Sequence, residues 1–255
     1  MIKKIYKKLI PEKIRIQIHV VLRKINVIFL QGNNFYCCCC NKSFRKFLKK
    51  GNGIEFRENA VCPNCGSLER TRLLYSYLKN ETSIFNSKLN ILHISPEYAL
   101  KKHLISNENY IDIDLNPNLA RFNQDLTKLS FKNDQFDYVI CSHVLGHIPE
   151  EKKAINEIFR VLKKNGIALI LVLMNPKLVK TLEDENFKTS VEKLENYGEF
   201  DLERLYGIDF SERLKSENIK VEQIDYRLKF TENEQIKFSL GDGKRELIFK
   251  CSKIY

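Results

Sequence analysis

Apolar and polar positions follow three different rhythms along this chain. Over residues 1–30 they repeat at helical spacing: Ile2, Ile5, Tyr6, Leu9 and Ile10, then, past Pro11, Ile14, Ile18, Val21, Leu22, Ile25, Ile28 and Phe29. Pro11 should break or kink the stretch, or occupy the first turn of a second helix. Gly32, Asn33 and Asn34 end it. Residues 35–66 hold no sustained period but carry cysteines, aromatics and a Gly51-Asn52-Gly53 turn. Residues 67–80 (SLERTRLLYSYLKN) return to helical spacing, with Ser67 as the expected N-cap.

From Leu89 onward, short apolar runs alternate with helical patterns. The runs predict strands over 90–95, 110–115, 121–126, 136–142, 167–174, 221–226 and 247–251, and the periodic segments predict helices over 99–104, 150–164 and 202–215. Strand, helix, strand in repetition means a doubly wound, mostly parallel α/β sheet covered on both faces. The expected organisation is a basic helical segment over 1–30, a cysteine module and linking helix over 31–85, and the α/β domain over 86–255.

Composition narrows the classes. At 255 residues, 43% hydrophobic, with 10 Gly and 6 Pro, the chain can bury a full-sized core and is neither disordered nor collagen-like. No apolar run approaches the ~18–20 residues of a membrane span. Pro11, Glu12, Lys13 and Arg15 interrupt any signal-peptide core, so a cytoplasmic location is expected. The net charge of +11 is concentrated at the front. Residues 1–50 hold thirteen Lys and Arg against Glu12 alone, and the rest sums to −1. Such a front suits an anionic surface: acidic lipid, nucleic acid or an acidic polymer.

Six of the eight cysteines fall between positions 37 and 65. Cys37-x2-Cys40, 21 residues, then Cys62-x2-Cys65 is the spacing of two knuckles closing one tetrahedral zinc ion, a zinc-ribbon-like module. A shell of four thiolates has no open position, so the site is expected to be structural. Asn41 and Gly66, each following a knuckle's second cysteine, tolerate left-handed backbone. Cys38 and Cys39 read as spectators, and Cys141 and Cys251 as core.

In a doubly wound sheet the ligand lies beyond the carboxyl ends of the first strands. Four places fall there: the Ser95-Pro96-Glu97-Tyr98 turn, Asp114, Gln124-Asp125-Leu126, and Ser142-His143. Asp114 stands 17 residues past Glu97, where a carboxylate commonly accepts two hydrogen bonds from a ribose diol. The first turn lacks G-x-G-x-x-G, which weighs against NAD or FAD and leaves room for a nucleoside ligand without phosphate, such as S-adenosylmethionine (SAM).

The pieces CPNCGSLERTRLL (62–74), ILHISPEYAL (91–100), FKNDQFDYVICSHVLGHIPE (131–150), INEIFRVLKKNG (155–166), KTLEDENF (180–187) and RLYGIDFSERL (204–214) together resemble class I SAM-dependent methyltransferases. More narrowly they resemble a bacterial subfamily with an N-terminal zinc-ribbon module and an L-H-[VI]-[AS]-P-E loop. The resemblance implies a seven-stranded Rossmann-like sheet. It places Ser95 and Glu97 at the methionine end of SAM, Asp114 at the ribose, Asp125 and Leu126 at the adenine, and Ser142 and His143 under the transferring methyl. It also implies a small-molecule or glycan acceptor, as in surface-polysaccharide synthesis. His143, Asp184 and Tyr206, in that order, are the candidate bases for a hydroxyl acceptor, and His147 reads as structural. The chain departs from the family at His93 (usually an acid), Gly146 (usually Glu) and Leu202-Glu203 (often His-Val). Two other readings stay open: an RNA methyltransferase gripping through the basic front and zinc module, and a non-catalytic SAM-binding scaffold. Residues 1–30 are expected either to dock peripherally on the anionic inner membrane face or a partner, or to pack back on the protein's own core.

Overall fold

Pro11 sits where a break is expected. Its carbonyl accepts the N–H groups of Ile14 and Arg15, both at 3.0 Å, and helix α1 (Glu12–Phe29) runs from there. The computed structural model describes residues 10–51, 55–86 and 88–254. The helical face expected over residues 2–9 and the turn at Asn52 and Gly53 lie outside the described residues. Along α1, Val27 packs against the core, Leu30 just beyond is buried, and Arg23 lies so close over Gly66 that a Cβ there would stand 1.8 Å from its Nη1. The expected apolar stripe points the other way: Ile14, Val21, Leu22, Ile25, Ile28 and Phe29 are 47% to 68% exposed. No described helix is long and apolar enough to cross a membrane.

Two small antiparallel hairpins follow, β1 (Gln31–Cys37) with β2 (Lys42–Phe44) and β3 (Leu48–Gly51) with β4 (Phe56–Val61). Helix α2 (Glu69–Glu81) links them to the sheet through β5 (Ile91–Ile94), α3 (Tyr98–Leu104), β6 (Tyr110–Asp114), β7 (Phe122–Asn123), β8 (Phe136–Ser142), α4 (Glu151–Val161) and β9 (Leu162–Leu171). Helices α5 (Ser190–Tyr197) and α6 (Phe210–Arg213) precede β10 (Ile219–Ile224), and α7 (Glu232–Phe238) precedes the closing strand β11 (Ile248–Lys253).

The seven strands are ordered β10-β11-β9-β8-β5-β6-β7. Strands β5 to β9 pair in parallel, and β11 runs antiparallel to both β9 and β10. Successive side chains feed opposite cores, as strand periodicity requires. In β8, Val139 and Cys141 face a core completed by Ile155, Ile158 and Phe159 of α4 and Phe210 of α6. Ile140 faces a second core that contains Leu73, Leu74 and Leu78 of α2, Leu100 and Leu104 of α3, and Cys37, Phe44 and Phe47 of the cysteine module. The module therefore covers one face of the sheet rather than standing apart from it.

Several elements differ from their sequence expectation. Residues 202–215, expected as helix, are helical only at α6. Leu205 bridges Leu182 and Tyr206 bridges Met174 in extended chain. Leu202, Arg204 and Tyr206 are buried at period two, but a buried arginine in the middle hides that strand signature. The helix expected over 150–164 stops at Val161. Lys163 to Gly166 run into β9, with Asn165 left-handed at φ 61°. Leu68, not Ser67, is the cap of α2. Helices α5 and α7 were not expected; each opens on a capping box, Thr189 with Glu192 and Thr231 with Glu234.

Candidate active site and metal centre

Cys37 ends β1 and Cys40 lies in the following turn; Cys62 follows β4 and Cys65 precedes α2. All four sulfurs lie within 4.8 Å of one another, with Cys37 to Cys65 at 3.6 Å and Cys40 to Cys62 at 3.7 Å. Tetrahedral ligands about 2.3 Å from one zinc ion stand about 3.8 Å apart, so this donor set fits a closed metal shell. Asn41 (φ 53°) and Gly66 (φ 75°) are left-handed, as their positions in the two knuckles suggest. Cys38 and Cys39 turn away, toward the carbonyls of Arg72 and Thr71.

The sequence reading missed the centre's support. Ser67 Oγ lies 3.2 Å from Cys37 Sγ and 3.3 Å from Cys65 Sγ, which explains why it does not cap α2. Behind it, fully buried Arg72 donates to the carbonyls of Ala60, Ser67, Phe238 and Ser239 at 2.6 to 3.2 Å, and its guanidinium stacks on Phe47. A shell of four thiolates on a divalent ion carries net negative charge, and a carboxylate-free arginine beside it offsets that charge where water cannot.

At the carboxyl ends of β5, β6 and β8 lies a cavity of about 270 Å³. Ser95, Asp114, Asp125, Leu126 and His143, all expected site residues, line it together with apolar Ile113, Leu115, Val144 and Ile148. The two turns that open it are left-handed at non-glycine residues, Ser95 (φ 48°) and His143 (φ 57°). Such strain commonly collects at ligand sites. Asp114 spends Oδ1 on the N–H of Asn116 at 2.7 Å, and its other oxygen is the one left for a diol. Asp112, two residues earlier, is buried under Lys101 and Arg121. Asp125 Oδ1 takes two bonds from Thr127, both at 2.8 Å, so part of this acid serves its own loop. Leu115, 73% exposed, is apolar surface at the rim. Ser142 Oγ at the end of β8 is buried without a hydrogen-bond partner. Ser142 does not line the cavity; the carboxylates at its rim and its apolar walls fit a nucleoside with an amino-acid tail.

Glu97 starts α3 with its backbone, but its side chain does not cap the helix. It accepts from Thr71 Oγ1 at 2.6 Å and pairs with Arg70 at 2.7 Å, so it ties α2 to the first turn of the sheet. His143 Nε2 lies 2.9 Å from the Arg245 carbonyl. A carbonyl only accepts, so Nε2 carries the proton and Nδ1 keeps its lone pair. Burial first, and the charge of Arg70 second, hold this imidazole well below its usual range and therefore neutral near pH 7. His147, held 3.1 Å from the Asp201 carbonyl, also lines the cavity.

The other two candidate bases stand elsewhere. Tyr206 is buried in the core and donates to Glu151 Oε1 at 2.7 Å. Asp184 accepts from Asn186 N and Nδ2 within its own loop. Neither lines the cavity. Their neighbours form an ion network: Arg213 bonds Glu151 and Glu183, and Glu183 pairs with Arg204 at 2.7 Å. Arg204 also donates to the carbonyls of Leu145, Ile148 and Pro149, bracing the turn that walls the cavity. Two departures from the family pattern meet in that turn. A Cβ at Gly146 would lie 2.8 Å from Leu202 Cδ2, so the glycine and the leucine fit one another. The third, His93, is buried against Tyr110 OH at 3.0 Å, and burial pushes it down to about 3.

The strand order, the antiparallel last strand and the cavity at the carboxyl ends define the class I methyltransferase fold. Residues 89–170 match a family model described as a methyltransferase domain. The chain is 37% identical over 89 residues to an uncharacterised protein of Methanocaldococcus jannaschii, covering 32% of this chain and 39% of that one. It is 24% identical over 164 residues to demethylmenaquinone methyltransferase of Staphylococcus haemolyticus, covering 64% of this chain and 63% of that one. The chain thus spans less than two thirds of the length of either relative. A solved SAM-dependent methyltransferase from Mesorhizobium loti is 12% identical, with a TM-score of 0.48 over 71% of this chain and 98% of that one.

Proposed function

We propose that this protein is a SAM-dependent methyltransferase acting on a small-molecule or glycan acceptor, with a structural zinc ion on Cys37, Cys40, Cys62 and Cys65. The observation that carries the reading is the cavity in which Ser95, Asp114, Asp125, Leu126 and His143 converge. Bound there, SAM supplies a methyl group on a positively charged sulfur, open to in-line displacement. Asp114 holds the ribose, and Leu115, Leu126 and Ile148 cover the adenine. The loop of Ser95 and Glu97, fixed by Arg70, closes on the amino-acid end. His143, neutral with Nδ1 free to accept, takes the proton of a hydroxyl acceptor; Tyr206 and Asp184 keep structural roles. Calorimetry with S-adenosylhomocysteine tests this: Asp114→Ala is expected to weaken binding by about 1.5–3 kcal/mol, the value of hydrogen bonds to a charged group. Unchanged affinity in the variant removes Asp114 from the site, and no binding to the wild type removes the reading.

The exposed stripe of α1 favours a second statement, about location. Residues 1–30 hold eight Lys and Arg against Glu12, and Ile14, Val21, Leu22, Ile25, Ile28 and Phe29 face solvent. This combination suits the surface of an anionic membrane, at about 1 kcal/mol for each cation near the leaflet. Flotation with phosphatidylserine vesicles is expected to carry the protein at low salt and release it at high salt; indifference at low salt refutes it.

A further inference from the structure

A second cavity, of about 260 Å³, shares His143 and His147 with the first, so the two meet at the imidazole proposed to lie beside the transferring methyl. We propose that this second cavity is the acceptor site and that it selects a small anionic acceptor, one bearing a phosphate or a carboxylate; the proposal rests on the methyltransferase reading above.

Charge carries the argument. Lys50 of β3, Arg57 of β4, Arg70 of α2 and Arg245 before β11 all line the cavity, and Glu199 is its one lining carboxylate. Three of these cations are held in place. Arg57 pairs with Glu69 at 2.9 Å, Arg70 with Glu97 at 2.7 Å and Arg245 with Glu199 at 2.7 Å. Glu69 and Glu97 reach their arginines from outside the lining. A guanidinium has five donors in a rigid fork, and one carboxylate occupies at most two of them. The pairs therefore orient the forks without exhausting them, and Arg70 Nε is buried with no partner at all. Among the described residues Lys50 makes no ion pair and is exposed at the mouth. His143 is neutral and adds no charge of its own. Oriented donors in a partly desolvated pocket are what phosphate or carboxylate oxygens bind.

Size and shape set the class further. The volume suits one ring with an anionic group, not a strand of nucleic acid. Phe200, 53% exposed at the wall, offers an aromatic face to that ring. Lys50 and Arg57 belong to the hairpin closed by the cysteine centre, and Arg70 lies in the first turn of the helix that follows Cys65. The metal module thereby acquires a role beyond stability: it carries most of the acceptor's charge recognition.

The test uses full-length, metal-loaded protein saturated with S-adenosylhomocysteine, titrated by calorimetry at low salt with inorganic phosphate and, separately, with acetate. Phosphate or acetate is expected to bind in the range of about 1–10 mM, and whichever binds tighter names the anion. Arg245→Gln is expected to weaken that binding about tenfold, as loss of a charge-assisted pair implies. Exposed Lys50→Ala, which leaves the core untouched, is expected to weaken it several-fold, with nucleoside affinity unchanged in both variants. Intact nucleoside binding with neither anion bound, or anion binding indifferent to both variants, overturns the proposal alone. Failure of the wild type to bind the nucleoside overturns the underlying reading, while the phosphate titration still reads the cavity. A short RNA that displaces phosphate and is lost in the same variants replaces the small acceptor with nucleic acid.

Discussion

The cysteine module and the seven-stranded sheet lie against each other in one core, yet they are held by different means. The sheet's strands are buried on both faces by ordinary apolar side chains, Val139 and Ile170 on one face and Ile140 and Leu169 on the other. The module has two short hairpins and too little apolar area to hold them. Four thiols, a serine bridging two of them and a buried arginine bonded to four carbonyls do that work instead. A sheet fails by degrees when a methylene is lost. A module of this kind fails at once when a ligand or its one strut is lost.

The contrast is sharpest at the metal. One zinc per chain is expected by elemental analysis, and Cys62→Ser should lose it. Zinc in small modules contributes about 10–16 kcal/mol to folding, so the module should unfold outright, taking Lys50 and Arg57 of the second cavity with it. Cys38→Ser or Cys39→Ser should cost only about 1–2 kcal/mol and keep the metal. Full metal content in Cys62→Ser would abolish the distinction between ligands and spectators.

Next come paired substitutions, one on each side. Arg72→Met leaves the carbonyls of Ala60, Ser67, Phe238 and Ser239 without donors and should cost about 3–5 kcal/mol by chemical denaturation, with weaker metal retention. Ile170→Ala, on the sheet face away from the module, should cost about 2–5 kcal/mol by opening a cavity and leave metal affinity unchanged. Similar metal release by both variants would mean that the two regions are not separable.

The smallest effect is the sheet's response to acid. His93 is buried within strand β5, and its folded value of about 3 lies below the unfolded value of about 6.5. Below pH 6.5 the unfolded chain takes a proton that the folded chain refuses. Stability is therefore complete above pH 6.5 and falls by about 1.4 kcal/mol per pH unit until about pH 3. Between pH 7.5 and 5.0 this histidine accounts for about 2 kcal/mol. Denaturation of the wild type and His93→Gln at both values isolates it from the thiols, since only the difference between their slopes counts; equal slopes would remove His93 from the account.

What the sequence made legible divides along the same line. Strand runs such as 136–142 and the knuckle spacing of the cysteines were readable because each is local: a period or a fixed interval. That Asp114 and His143 would meet at one cavity was readable because both stand at the carboxyl ends of parallel strands. Arg72 and Arg204 were not. An arginine in a helix pattern reads as solvated, and only tertiary contact shows that its donors end on distant carbonyls. Tyr206 was misplaced because the stretch around it reads as helix while its burial follows a strand; Asp184 follows the fifth strand as expected, but its side chain is spent on Asn186 in its own loop. Two capping boxes, Thr189 with Glu192 and Thr231 with Glu234, did announce α5 and α7 to a reader counting threonine and glutamate three apart.

Arg72 also ties the order of synthesis to the order of folding. Two of its carbonyl partners, Ala60 and Ser67, leave the ribosome with it, but Ser239 lies 167 residues further on. At about 5–20 residues per second that separation is a wait on the order of ten seconds or more. During it a nascent chain has all four clustered cysteines but cannot seat its arginine. The front of the protein is thus finished by its tail, and any truncation short of Ser239 strands a buried charge near the amino terminus.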